Sequence, residues 1–442
     1  MTSAESLRVV NRFWERYRSS ATLKNTFWLG SASAIGGLFG AVSSAILGRT
    51  LGVEAFGVFT LLLTFIGMMT DFGDLGSTAT FVRFGSESIA AKDSDRFRDV
   101  VAVILRLKVG LATLLVIVSV LFLQRLVPSA FGHLDEALTA YSGLTLVIVL
   151  LSIAAGIFYP IFQSFQDFRT HSLLNMGRAF TKMVLLGGVV IVAVQLTVAG
   201  ALWIEFTAVL LFLVLSFAFS PFHSFTLRVS DRALTRSMMV FNRWILFAQI
   251  VAVIAGRLDV FFVGGMMDTG SLGLYGAAVK IAGLVMSVTN AYYAVLLAGV
   301  SSAIASDTLQ TKVRNAWKAV TFISIGILAL VVLAGPLVAI VFGGRFEGAG
   351  PILQVMCVGL FFSVLAYPTN AFLFARNHSL VFTLMAGFSL VGVVSVSLLL
   401  IPRFGAVGAA LGYSASACVA CLVSAVYFLA VRRRQVSPPL IP

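Results

Sequence analysis

Ionisable side chains buried in long apolar runs are the first residues of this sequence that could do chemistry, because a charge inside hydrocarbon is costly and is kept for a purpose. Five stand out: Asp71, Asp74, Arg257, Asp259 and Lys280. Arg257 and Lys280 fall on neighbouring predicted helices. A guanidinium fork and an ammonium point charge facing one cavity would hold a diphosphate. The competing reading pairs Arg257 with a carboxylate across a seam. Arg257 and Asp259, two apart, lie on different helix faces and are poor partners for each other.

Asp71 and Asp74 are three apart, hence on one face, with Gly73 and Gly76 loosening the helix around them. Carboxylates there, with Asp259, are candidates for gating or ion coupling. The competing reading is a helix cap or hydrogen bonds within one half of the molecule. Asn290 aligns with Asp74 at the offset of an internal repeat and joins Arg257 and Lys280 as a substrate-binding candidate. Glu205 is expected to be shallow and to snorkel to the outer interface. Arg49 lies in a turn, where a structural role is expected.

Other chemistries find no support. No G-x-x-x-x-G-K-[ST] loop exists. His133, His171, His223 and His378 lie near loops without metal-ligand spacing, so neither a metal nor another cofactor is expected. Cys418 and Cys421 form a C-x-x-C inside an apolar run, without the βαβ setting or further ligands that redox or zinc chemistry needs.

The elements that must position these residues are membrane helices. Apolar residues make up 59% of the 442 positions and charged residues only 11%, where a soluble domain carries about a quarter. Runs long enough to span a bilayer predict helices near 26–47, 57–81, 100–123, 138–159, 174–195, 198–219, 241–266, 272–299, 317–341, 350–371, 380–401 and 406–430. The expected fold is therefore an all-α polytopic membrane protein of about 12 transmembrane helices in two six-helix lobes around a central cavity.

The domains read as a basic N-terminal segment (1–24), a first lobe (25–220), a linker (221–237), a second lobe (238–431) and a tail (432–442). In the N-terminal segment, Leu7, Val10, Trp14 and Tyr17 form one stripe and Arg8, Arg12 and Arg16 another. That pattern suits a helix lying on an anionic leaflet, or an ordinary charged tail. No cleavable signal peptide is evident.

The net charge of +13 points to topology rather than to nucleic acid, which is not expected as a partner. Basic residues collect on the side of the N-terminus, among them Arg83, Arg96, Lys108, Arg178, Lys182, Arg232, Lys312 and Arg432. The other side holds only Arg49, Arg125, Arg345 and Arg403. That skew places both termini in the cytoplasm, and the expected location is the cytoplasmic (inner) membrane.

The two lobes are repeats. Leu47-Gly48 and Gly57-Val58-Phe59 recur as Val263-Gly264 and Gly273-Leu274-Tyr275, at an offset of 216. Phe131-Gly132 recurs as Phe342-Gly343, and Tyr159-Pro160 with His171-Ser172 as Tyr367-Pro368 with His378-Ser379. Val198-Ala199-Gly200-Ala201 recurs as Ala406-Val407-Gly408-Ala409. Helix seven runs in the direction of helix one, so the repeat is parallel, and two such lobes can rock about a central site. Small residues at Ser33, Gly36, Gly37, Gly40, Ala41 and Ala45 suit the first helix to the seam.

The segment Leu47-Gly48-Arg49-Thr50-Leu51-Gly52-Val53-Glu54-Ala55-Phe56-Gly57 resembles the turn after the first helix of polysaccharide and lipid-linked oligosaccharide exporters. These belong to the MOP superfamily, with the multidrug MATE transporters and the lipid II flippases. Phe342-Gly343-Gly344-Arg345-Phe346 is similar to a second segment of that family. Phe404-Gly405-Ala406-Val407-Gly408-Ala409-Ala410 is similar to a third, and Asp71-Phe72-Gly73 with Leu75-Gly76 to the end of its second helix.

The resemblance implies a flippase, not an enzyme, that moves a polyprenyl-diphosphate glycan to the outer leaflet by alternating access for surface polysaccharide biosynthesis. Its expected partners are that lipid-linked glycan and membrane lipids. H+ or Na+ are candidate coupling ions, and a polysaccharide polymerase or glycosyltransferases are candidate protein partners. Two alternatives stay open. One is a cation-coupled multidrug exporter of the same superfamily; the other is a polytopic glycosyltransferase or polymerase, although no outer loop is long and Asp135-Glu136 is the nearest carboxylate pair.

Overall fold

The computed structural model describes residues 21–121, 135–193, 195–227, 231–301, 309–376 and 379–436. The N-terminal stripes lie outside them. Twelve helices among the described residues are long and apolar enough to cross a membrane. They are α1 (Gly30–Leu51), α2 (Val53–Ala90), α3 (Ser94–Val120), α4 (Leu138–Ser164), α5 (Phe168–Ile191) and α6 (Val198–Ala218), followed by α7 (Ile245–Met266), α8 (Thr269–Tyr293), α9 (Arg314–Phe342), α10 (Ala349–Phe374), α11 (Val381–Phe404) and α12 (Ala406–Val431). No strand occurs among the described residues.

Four of these helices are broken inside the apolar span, and the breaks are readable in the sequence. α4 turns at Gly156–Ile157 and α10 at Ala366, just ahead of the repeat-related Pro160 and Pro368, whose rings cannot continue a helical ladder. α2 turns at Leu75–Gly76, where both residues adopt left-handed backbone (φ 35° and 80°). α7 turns at Gly256–Arg257.

The break in α2 is braced from the other half of the chain. The helix that leads into α7 begins at Arg232, capped by Asp231. Its Asn242 donates to the Leu75 carbonyl (3.3 Å) and accepts from Thr80 Oγ1 (2.9 Å). Leu234 and Met238 share an apolar cluster with Phe81, Phe97 and Phe162, so this lower segment docks on the first lobe. Above its break, α7 packs on α11 and α12.

Asp71 and Asp74 both lie ahead of this break, within the last turn of the same helical segment. Asp74 closes its helix by accepting from Ser77 Oγ (2.9 Å) and Thr78 Oγ1 (2.6 Å), and it pairs with Lys108 of α3 at 3.4 Å. Asp71, one turn earlier, leaves the first lobe altogether and reaches Arg257. Three-residue spacing puts both on one face of an intact helix. Their partners differ because Asp74, the last helical residue, closes the turn that follows and pairs with Lys108, while Asp71 meets a side chain from another helix. The Lys108 side chain is only 6% exposed. Asp74→Asn is therefore expected to lower stability by roughly 3–5 kcal/mol, the cost of leaving one buried charge alone. The double variant Asp74→Asn with Lys108→Met should recover most of that loss when thermal unfolding is followed in detergent.

The two repeats meet at the end of the molecule opposite to that where α1 begins. There Gly57 of α2 lies against the Thr269 carbonyl and 2.8 Å (for an added Cβ) from the Gly273 nitrogen, while Gly273 of α8 lies against the Val53 carbonyl. One turn further in, an added Cβ at Gly276 would meet Thr60 Oγ1 at 2.6 Å. Val53, Gly57 and Thr60 become Thr269, Gly273 and Gly276 at the repeat offset of 216, so each contact is the image of its partner. That reciprocity is what an interface along a twofold axis produces.

Two further family-like segments join beside it. Arg49 Nε donates to the Val341 carbonyl at 3.0 Å and its Nη2 to the Ile340 carbonyl, which ties the end of α1 to the end of α9. Phe56 meets Phe342 and Phe346 with ring centroids 5.6 and 5.7 Å apart. Arg49 thus has the structural part expected of it.

Candidate functional site

Toward the end where α1 begins, the lobes stand apart around a cavity of about 920 Å³. Its walls are the small-residue stripe of α1 (Gly30 to Gly40), Asn175, Arg178 and Lys182 of α5, Glu205 of α6, and Ser287, Asn290 and Tyr292 of α8. α1 packs against both α5 and α8, so its missing side chains are what open the space between them. A second chamber of about 470 Å³ continues from it into the first lobe. Arg178, Lys182 and Glu205 line both, and Asp71, Ser152, Tyr159, His171 and Lys280 line the second.

The charges at this junction form one cluster. Glu205, buried at 6% exposure, accepts from Arg178 Nη2 at 3.0 Å and from Lys182 Nζ. The spacing of Arg178 and Lys182 puts both on one side of α5, facing α6. Aromatic faces back them: Phe212 lies under the Arg178 guanidinium (5.9 Å) and Phe59 under the Lys182 ammonium (5.8 Å). Glu205 therefore does not snorkel to the outer interface. About 10 Å along α6 from its start, it is held inward because two cations there compensate its burial.

Lys280 lies about 16 Å along α8, close enough to Lys182, Glu205 and Arg257 for their charges to act on it. It has no ion-pair partner among the described residues. Arg257 does have one: its Nη2 donates to Asp71 Oδ2 at 2.7 Å, with side chains one-third and two-fifths exposed. Gly67 makes that reach possible, since a Cβ there would lie 2.6 Å from Arg257 Nη1. Arg257 and Lys280 thus belong to one charged neighbourhood without sharing a partner, and the carboxylate across the seam claims Arg257. Asp259 turns the other way and accepts from the buried Tyr275 hydroxyl at 2.6 Å, inside the second lobe.

Four cations (Arg178, Lys182, Arg257, Lys280) face two carboxylates (Asp71, Glu205) here, leaving a surplus of two positive charges. Sequence reasoning put Lys108, Arg178 and Lys182 among the basic residues of the N-terminal face. The structure removes all three to helix interiors, and the remaining skew is still strong. The signal that could have found the pair was their spacing: two basic residues four apart, inside an apolar run, face one way and need a shared counter-charge.

The family described as "Polysaccharide biosynthesis protein" matches residues 22–297. The chain belongs to this family. No curated protein matches the sequence of this family member. Among solved structures, it superposes on a multidrug resistance MATE family transporter of the MOP superfamily in its inward-facing conformation, with a TM-score of 0.76 at 16% identity over 91% of this chain and 96% of the other. The lipid II flippase MurJ in an inward closed conformation gives 0.70 at 15% identity, covering 93% of each chain. An outward-facing MATE transporter of the same superfamily gives 0.56 at 17% identity over 93% and 96%. The polysaccharide family member thus has the two-lobed fold of MOP-superfamily transporters.

Proposed function

We propose that the chain is a flippase that carries a polyprenyl-diphosphate glycan from the cytoplasmic to the outer leaflet by alternating access, for surface polysaccharide biosynthesis. The cation cluster between the lobes carries this reading: Arg178, Lys182 and Lys280 offer a bidentate fork and two point charges to a diphosphate. Membership of a polysaccharide biosynthesis family supports it, as does the likeness of the fold to a lipid II flippase. A surplus of positive charge in the cavity disfavours lipophilic cations as cargo.

The conformation is read as inward-facing, with both termini cytoplasmic. The open cavity lies on the side of the α1 start, and the superposition is better on the inward-facing MATE structure than on the outward-facing one. Arg257 and Asp71 then act as an ion pair joining the lobes near the bottom of the cavity, and Asp71, Asp74 and Asp259 remain the carboxylates at which H+ or Na+ would couple. A membrane potential of 100 mV, inside negative, favours outward movement of each negative charge by about 2.3 kcal/mol. Polymerase or glycosyltransferase partners would deliver and consume the cargo.

The test is a leaflet assay in vesicles containing the purified protein and a fluorescent lipid-linked glycan. Protein-dependent movement of the label to the opposite leaflet is expected, with none of the label transferred to another molecule. Efflux of lipophilic cations instead, or a change in the glycan, would replace this reading with an exporter or a transferase.

A further inference from the structure

The cavity separates charge from neutral polarity between its two walls. All of its ionised groups on the first-lobe side come from α5 and α6 (Arg178, Lys182, Glu205), whereas α8 presents Ser287, Asn290 and Tyr292 to the same space. A ligand that spans it is gripped by charge on one side and met by an amide, a hydroxyl and aromatic surface on the other. Those neutral groups are suited to a polyhydroxylated ring, whose hydroxyls exchange hydrogen bonds with amides and whose C–H face lies on aromatic carbon.

The amide of Asn290 is oriented for this. Tyr367, itself buried, donates its hydroxyl to Asn290 Oδ1 at 3.0 Å and lies within 3.3 Å of Thr289 Oγ1. The Tyr293 ring stacks on the Tyr367 ring with centroids 4.7 Å apart, which fixes the phenol. With its oxygen engaged, Asn290 has its two N–H donors left over, and they have no partner among the described residues although the residue is exposed in the cavity. An amide held by its oxygen, with both N–H donors turned to the cavity, is pre-oriented to donate to whatever occupies that space.

We infer that Asn290 and Tyr292 of the second lobe read the first sugar of the cargo while Arg178, Lys182 and Lys280 hold its diphosphate, with Tyr367 as the positioning residue behind Asn290. This rests on the flippase reading. It assigns cargo selectivity to the Asn290 and Tyr292 stretch of α8 and cargo affinity to the cations of α5 together with Lys280 deeper along α8, so substitutions in the two groups should separate.

The experiment measures binding to the full chain in nanodiscs with two kinds of probe of equal charge. One is farnesyl diphosphate capped as its methyl ester. The others are farnesyl diphosphates esterified to glucose, galactose or N-acetylglucosamine. The wild type should bind at least one glycosylated probe about tenfold more tightly than the capped one, the worth of one or two net hydrogen bonds. Asn290→Ala and Tyr292→Leu should erase that increment and leave the capped probe within twofold of wild type. Tyr367→Phe should reduce the increment while also sparing the capped probe. Equal losses for both kinds of probe would make these residues scaffold and overturn the inference, as would a wild type that binds the capped probe yet gains nothing from any sugar. A wild type that binds neither would remove the flippase reading itself, and this inference with it.

Discussion

Gly273→Val is expected to slow transport severalfold or more while leaving the protein inserted and folded. The new Cβ and its two methyl groups have nowhere to go, because the backbone of α8 at this point lies against the Val53 carbonyl. Overpacking of this kind costs about 1–3 kcal/mol, and it is felt only in the conformation that presses α2 and α8 together. A state in which that end is open escapes the cost. The substitution should therefore shift the resting population toward the open state by roughly 5- to 150-fold. Gly57→Val should do the same from the other side, since its contacts are the repeat image of those at Gly273, and the double variant should exceed either. Maleimide labelling of a cysteine at Val53, in a background lacking Cys357, Cys418 and Cys421, should rise from the far side of the membrane as transport falls. A Gly273→Val protein that transports at the wild-type rate would mean that the glycine contact takes no part in the cycle.

The repeat that makes this prediction possible was legible in the sequence through its glycines and turns. Gly57 and Gly273 align at one offset, and the structure shows why both must be glycine: they face each other where the lobes touch. Helix positions were legible for an equally simple reason, since each needs a continuous apolar run to cross hydrocarbon. What escaped were relations between runs. Glu205 read as shallow because its depth was judged along α6 alone, while its burial is decided by Arg178 and Lys182 on α5. Asp71 and Asp74 share a helix face, as their spacing implies, but their partners, Arg257 for one and Lys108 for the other, come from two different helices. Arg257 read as available to a ligand, or else paired across the seam, and geometry chose the second. In each case the deciding atom lies far away in the chain, beyond the reach of local periodicity.

On the flippase reading, these corrections change where an anionic cargo would be held. Arg257 is engaged by Asp71, so a phosphate would have to displace a carboxylate to reach it, and the same is true of Arg178 and Lys182 with Glu205. Lys280 alone among the four cations has no ion-pair partner among the described residues. An anionic cargo would enter beside Lys280 and take over cations that internal carboxylates occupy while the cavity is empty. The carboxylates would then be the competitors that an anionic cargo has to displace.

That competition yields effects of opposite sign. Replacing the whole cluster (Arg178→Met, Lys182→Met and Glu205→Leu together) leaves no orphaned charge, and buried ion clusters exchanged for apolar groups of similar volume are often neutral in stability or better. The triple variant should unfold close to the wild-type temperature yet bind methyl-capped farnesyl diphosphate at least about a hundredfold more weakly, since two charge-assisted contacts of roughly 1.5–3 kcal/mol each are gone. Glu205→Gln alone keeps both cations and removes their internal partner. It should lower thermal stability and tighten binding of the same probe by about tenfold, with release and turnover slowed in proportion. A purely structural cluster cannot give that pattern, because loss of Glu205 would then weaken folding and binding together. Weaker probe binding in Glu205→Gln, at a temperature where it remains folded, would place the anion site elsewhere in the cavity.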